Sequence, residues 1–177
     1  MTAINETLFT LLQDYFCLES VKAKTTIIEE GKHSKKFYFL KKGSLRAWTL
    51  HEGKEITFQF LFETQFFCSI DSFWYDKCSH YSVEAIEDVQ LLFIDKQTLL
   101  RLMQNDRNLL GVFNEYLIQR LLSYQKLLIA RIKENPEKRY LQLLKTNPEI
   151  IQRVPQHYIA SYLGITSVSL SRIRNRR

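Results

Sequence analysis

Residues 155–173 read PQHYIASYLGITSVSLSRI, and the order of residue types fits two short helices joined by a tight turn. Pro155 can open the first helix, because the N–H that proline lacks is one that a helix start leaves unpaired. Ile159, Ala160 and Leu163 then share a buried face, and Gly164 supplies the left-handed residue that stops the helix. Thr166 can cap a second helix that turns Leu170 and Ile173 inward. Ala160 is small where that helix must cross, and Leu163, Ile165, Leu170 and Ile173 make the little core between the two. An ordinary αα-hairpin is the bland alternative; the match of several constrained positions in order favours a helix-turn-helix.

The outward face of the second helix is Ser167, Ser169, Ser171 and Arg172, followed by Arg174, Asn175, Arg176 and Arg177. Short hydroxyls and one long guanidinium suit a helix lying in a DNA major groove, where Arg can give guanine O6 and N7 two hydrogen bonds. Arg172 is the candidate base reader. Arg174, Arg176 and Arg177 suit phosphates, which add affinity and salt dependence but little sequence information. Thr166, Asn175, and Gln156 and His157 at the start of the first helix, complete the expected DNA-contacting set. Charge agrees: 25 Lys and Arg against 19 Asp and Glu give +6, and after Glu149 no acid follows while five arginines do.

Working back along the chain, Asn135-Pro136-Glu137 is a helix start with a cap, a proline at the first position and an acid in the first turn. Before it, a helix of residues 106–133 would run roughly 40 Å at 1.5 Å per residue. Leu110, Phe113, Leu117, Leu121, Tyr124 and Leu128 recur along it at three- and four-residue spacing, which predicts a dimer seam; packing against the chain's own β domain is the alternative. DKQTLLRLM, from Asp95, is a shorter capped helix. Upstream lie short β-rich runs, TTIIE, KKFYFLKKG, SLRAWTL, EITFQFL, HYSVEAI and VQLLFI, with Gly31, Gly43 and Gly53 at the turns. A helix over residues 4–16 precedes them. Many short strands at close spacing predict a β barrel or sandwich rather than a parallel α/β sheet.

The turns EEG and KKGSLRAW, the long helix, and the ending ASYLGITSVSLSRIR together resemble the Crp/Fnr family of bacterial transcription regulators over nearly the whole chain. The resemblance implies an α+β fold: an N-terminal jelly-roll-like double-stranded β-roll of the cyclic-nucleotide-binding type (residues 1–105), a long dimerisation helix (106–133) and a C-terminal DNA-binding helix-turn-helix (134–177). The chain stops directly after the recognition helix, so the family's β-wing is expected to be absent or truncated. The family's base-reading Arg falls on Arg172; two further base-contacting slots fall on Ser167 and Val168, which carry no charge. The family's nucleotide-binding cassette presents a Gly-Glu pair and, about ten residues on, an Arg for the cyclic phosphate. Here Cys68 and Ser69 take the pair's place and Ser79 the arginine's, with Lys77 a weak substitute. A cyclic nucleotide is therefore not the expected effector. Phe67, Phe73, Trp74 and Tyr81 either line a pocket for another molecule or fill it as core.

Length and composition exclude a large multi-domain enzyme and a disordered chain. Cys17, Cys68 and Cys78 make neither a disulfide framework nor a zinc site, and His33, His51, His80 and His157 are scattered, so no metal or other cofactor is expected. Cys68 and Cys78, ten residues apart, are read as inert thiols in preference to a redox pair. No Ser-His-Asp, Cys-His or phosphate-loop pattern stands at useful spacing; Ser69, Asp71 and His80 are read as cassette remnants, and an enzyme is not expected. The start of the chain is no signal peptide and no apolar run is long enough for a membrane span, so a cytoplasmic protein is expected. The expected partners are double-stranded DNA, over a pseudo-palindromic site, and a second copy of the chain; RNA polymerase and an unidentified small-molecule effector are further candidates, and a membrane is not. The competing reading is a small-molecule sensor module with only residual DNA affinity.

Overall fold

Residues 36–42, KFYFLKK, are apolar on both alternating faces, and in the computed structural model they form a strand buried from both sides. Phe37 and Phe39 face a helical layer while Tyr38 and Leu40 face a second sheet. That double burial accounts for the unbroken apolar run. The structure describes residues 2–175.

The element order is α1 (Ala3–Leu12), a 3-10 turn (Gln13–Tyr15), β1 (Cys17–Val21), β2 (Thr26–Ile28), β3 (Lys36–Lys42), β4 (Leu45–His51), β5 (Lys54–Leu61), β6 (Phe66–Phe67), α2 (Ile70–Tyr75), β7 (Ser82–Ala85), β8 (Val89–Asp95), α3 (Lys96–Asn105), α4 (Arg107–Lys133), α5 (Pro136–Thr146), α6 (Ile150–Arg153), α7 (Gln156–Leu163) and α8 (Ser167–Asn175). Two four-stranded antiparallel sheets, β1-β8-β3-β6 and β2-β7-β4-β5, face each other over Ile28, Leu40, Leu45, Val83, Ala85 and Leu91. A second core of Leu8, Leu12, Phe37, Phe66, Leu99 and Phe113 joins the first sheet to α1, α3 and α4. Gly43 makes the β3–β4 turn at φ 101°, and a Cβ there would meet Val89 Cγ1 at 2.6 Å, so only glycine fits.

The six strands expected from the sequence are present; β1 and β6 were not expected, and neither were α2 and α6. The helix ends come where capping chemistry puts them. Asp95 Oδ1 accepts from Thr98 N–H at 2.9 Å, Asp106 Oδ1 from Asn108 N–H at 2.8 Å, and Asn135 Oδ1 from Lys138 N–H at 2.9 Å.

Of the six residues expected on the α4 seam, Phe113 and Leu117 are spent inside the chain, whereas Leu110, Leu121, Tyr124 and Leu128 are exposed. Phe113 is 2% exposed in the chain's own core, and Leu117 packs against the same cluster. Tyr124 is exposed but its hydroxyl donates to Gln59 Oε1 at 2.9 Å. The apolar side chains left open on α4 are Ile118, Leu121, Leu122, Leu128, Ile129 and Ile132, with Leu110 at the N-terminal end. At 3.6 residues per turn this stripe is rotated roughly 75° from the expected one. The reason is that α4 serves the β layer with one face, and that face takes Leu109, Phe113 and Tyr116 out of reach of any partner.

Candidate nucleic-acid interface

α7 and α8 meet through the turn the residues dictate. Gly164 stands at φ 69°, its N–H donates to Ser161 O at 3.0 Å, and Ile165 N–H donates to Ala160 O at 3.0 Å, the paired bonds of a glycine-terminated helix. Thr166 Oγ1 then accepts from Ser169 N–H at 3.2 Å and starts α8. Ile159, Ala160, Leu163 and Leu170 are buried between the helices, with Ile165 and Ile173 packed on them.

On the opposite side of α8, Ser167, Ser171, Arg172 and Asn175 are exposed, and Ser169 and Arg174 are half-buried. Val168 is 62% exposed on the same surface. Gln156, His157 and Thr166 are exposed as well. Arg176 and Arg177 lie outside the described residues.

How that face is held was not legible from the sequence. Ser161, on α7, donates to Glu55 O at 2.8 Å and accepts from Thr57 N–H at 2.9 Å, docking the helix on the backbone of β5. Phe60 of β5 completes the helical core with Tyr140, Ile150 and Val154. Arg153, at the end of α6, points Nε and NH2 at Glu87 Oε1 (3.0 and 2.6 Å) and NH1 and NH2 at the two oxygens of Glu63 (2.9 and 2.7 Å); NH1 also reaches Glu149 at 3.0 Å. Burial pushes the Glu63 carboxyl up, but hydrogen bonds from Arg153 and from backbone N–H groups, with the Arg153 charge, outweigh it and hold it below the usual carboxylate range. Arg46, 2% exposed on β4, pairs with Glu55 at 2.6 Å and Glu84 at 3.3 Å and lies 3.7 Å over the Tyr158 ring of α7. Glu87 and Glu63 stand 66 and 90 residues from Arg153 in the chain, a separation that leaves no sequence signal.

The β-roll cassette is closed by its own side chains. Cys68 is buried, which pushes its thiol up to about 12. Tyr81 Oη donates to Cys68 O at 2.7 Å, and Ser79 Oγ donates to Tyr81 O at 2.7 Å. Ser69 is fully buried with its hydroxyl unpaired, and Lys77 is exposed. Beside Cys68 and Tyr81 only about 70 Å3 is open, against the roughly 300 Å3 of a small ligand pocket. Phe67 and Tyr81 line it, whereas Phe73 and Trp74 pack in the core with Phe113 of α4. Arg120, which the sequence did not single out, enters the wall from α4 and donates to Tyr124 Oη at 2.6 Å.

Cys68 is buried and Cys78 exposed, and both are free thiols. Cys78 Sγ lies 3.8 Å from His33 Nε2, a Cys-His juxtaposition that the sequence spacing hid; both groups face solvent, and among the described residues no third group orients the imidazole. Asp71 and His80 are 3.8 Å apart, while Ser69 is buried. Among the described residues no group of three or more His, Cys, Asp or Glu is placed to hold a metal ion, and no helix is long and apolar enough to cross a membrane.

The model of the cyclic nucleotide-binding domain matches residues 18–106. No curated protein matches the sequence. Among solved structures, FixK2 from Bradyrhizobium japonicum superposes with a TM-score of 0.75 at 16% identity, over 91% of this chain and 83% of that one. The c-di-GMP-responsive global regulator CLP of Xanthomonas campestris gives 0.75 at 16% identity over 97% and 90%. A protein assigned to the Crp/Fnr transcriptional regulators, from Eubacterium rectale, gives 0.73 at 21% identity over 96% and 82%. At these identities the likeness establishes the fold, an α+β architecture shared with Crp/Fnr regulators.

Proposed function

Since the chain belongs to the cyclic nucleotide-binding domain family, with 18–106 as the matched residues, we propose that it is a homodimeric, sequence-specific DNA-binding transcription regulator of the Crp/Fnr type acting in the cytoplasm. The carrying observation is the α7–α8 pair, which buries its apolar face and leaves Ser167, Ser171 and Arg172 exposed on α8. On this reading residues 1–105 are the sensor, 106–133 the dimerisation helix and 134–177 the DNA reader.

Arg172 reads a guanine, and the exposed Val168 suits contact with a thymine methyl group. Ser167, Ser171, Asn175 and Arg174, with Gln156, His157 and Thr166 on α7 and its turn, hold the backbone and register. Two copies joined along Ile118, Leu122, Ile129 and Ile132 would set two recognition helices about 34 Å apart, in successive major grooves. A cyclic nucleotide is not the effector on this reading: the cassette carries no buried cation at the Ser79 slot, and Tyr81 occupies the carbonyl at Cys68.

The test is selection of duplexes from a randomised pool by the purified full chain at near-physiological salt. A two-fold symmetric motif with half-sites about one helical turn apart is expected. Binding of all sequences alike would overturn the reading and leave a basic surface that grips phosphate only.

A further inference from the structure

A cavity of about 250 Å3 opens where the C-terminal end of α4 meets α5 and α7. Lys126, Arg131 and Arg139 supply three cations to its wall, Gln142, Thr146 and Asn147 supply amide and hydroxyl groups, and Leu127, Ala130 and Leu143 give it an apolar side. Among the described residues none of the lining groups is a carboxylate. A hollow of about 100 Å3 adjoins it and shares Leu127, Leu143, Asn147 and Tyr162.

The two guanidiniums are held in place but not used up. Arg131 NH2 reaches Phe58 O at 3.3 Å and Tyr162 O at 3.5 Å, and Arg139 NH2 donates to Leu163 O at 2.7 Å. The Nε of each is buried with no partner in the protein. A guanidinium offers five donors in a planar fork that matches carboxylate and phosphate oxygens. Burial lifts the Tyr162 hydroxyl above its usual range against the opposing pull of both guanidinium charges, so both cations bear on the same wall. Around α4, Leu127 and Arg131 lie nearly opposite Ile118, Leu122 and Ile129, while Lys126 stands only roughly 40° from Leu122, so the Arg131 side of the cavity faces away from a copy seated on those three residues.

From the cavity, its cations and their unspent donors, we infer that this junction binds a small organic anion: a short carbon skeleton against Leu127 and Leu143, with a phosphate or carboxylate head on Arg131 and Arg139. The site is separate from the β-roll cassette and does not depend on the DNA-binding reading. It touches α4, α5 and α7 at once, so an occupant would stiffen the junction that carries α8.

The experiment is titration of the full chain with inorganic phosphate, glycerol phosphate and succinate, followed by calorimetry and by the Nε–H signals of labelled arginine, with sodium chloride at matched ionic strength as reference. Saturable binding that shifts the Arg131 and Arg139 signals is expected, and the better of glycerol phosphate and succinate identifies the head group. Gln142→Glu, at an exposed position of α5, puts a fixed negative charge on the wall and should weaken binding at least about tenfold. Arg172→Ala, on the DNA-facing surface, should leave it unchanged. No saturation by any of the three, or equal binding by wild type and Gln142→Glu, overturns the inference and leaves Arg131 and Arg139 as caps on the carbonyl end of α7.

Discussion

Replacing Arg153 by Met keeps a long side chain against Phe62 and removes the guanidinium that ties α6 to the turns after β5 and β7. Two forks are lost, one on Glu63 and one on Glu87, each with two nitrogen–oxygen contacts of 3.0 Å or less. Hydrogen bonds to charged groups are worth about 1.5–3 kcal/mol each when sheltered. The side chains of Glu63 and Glu87 are 33% and 39% exposed, so solvent screening brings each fork to about 1–1.5 kcal/mol. The pair then amounts to about 2–3 kcal/mol, a fall in melting temperature of about 4–12 °C for a chain of this length. Thermal and urea unfolding of wild type, Arg153→Met, Glu63→Gln and the double variant measure it, with a coupling of about 1 kcal/mol expected between Arg153 and Glu63. Acid adds a second check. The Glu63 carboxyl is held below its unfolded value, so its contribution is complete above about pH 4.5 and fades as pH falls through the depressed folded value. The gap between wild type and Arg153→Met should therefore narrow on acidification. A variant that melts within about 1 °C of wild type, or a gap indifferent to pH, would refute the clamp.

Arg172→Ala should cost about 1–3 kcal/mol on a selected duplex and relax one base position, while affinity for random DNA changes little; equal losses on both would remove its base-reading role. Leu122→Asp, on the open stripe of α4, should turn dimer into monomer in sedimentation without loss of helical circular dichroism, whereas a variant that stays dimeric moves the interface elsewhere. Phe113→Ala should instead cost about 3–5 kcal/mol of folding stability, since its ring is buried in the chain's own core, and a near-neutral result would restore it to the seam. Gly164→Val should destabilise by about 1–2 kcal/mol through the positive φ alone, because a Cβ there meets nothing within 4 Å; wild-type stability would mean the turn can relax.

The α7–α8 pair and its turn were readable in advance because their determinants are local. Gly164 and Thr166 act within five residues of themselves, and the inward positions repeat at the helical period. β3 and its neighbours were equally plain, being runs whose alternation or double burial leaves few other conformations. What escaped was short or wet: β1 shows the sequence CLESV and stays largely exposed at a sheet edge, β6 has two residues, and α6 has four. Phe113 and Leu117 were read onto the seam for a different reason. α4 carries apolar side chains around much of its circumference, so three- and four-residue spacing fits more than one stripe, and only the position of the β layer decides which stripe is spent. Arg153, Ser161 and Arg46 were missed because their roles exist only between segments distant in the chain.

The docking of α7 on β5 bears on how freely such a reader could be exchanged among relatives. Ser161 recognises the backbone of one particular strand edge, and Arg153 needs two acids at two particular turns. A chimera that transplants residues 134–175 onto a different roll would keep Gly164, Thr166 and Arg172 but forfeit that seat. On the proposed function, preference for individual bases would travel with the graft, while the spacing and tilt at which two grafted copies meet a duplex would have to be set anew by the host.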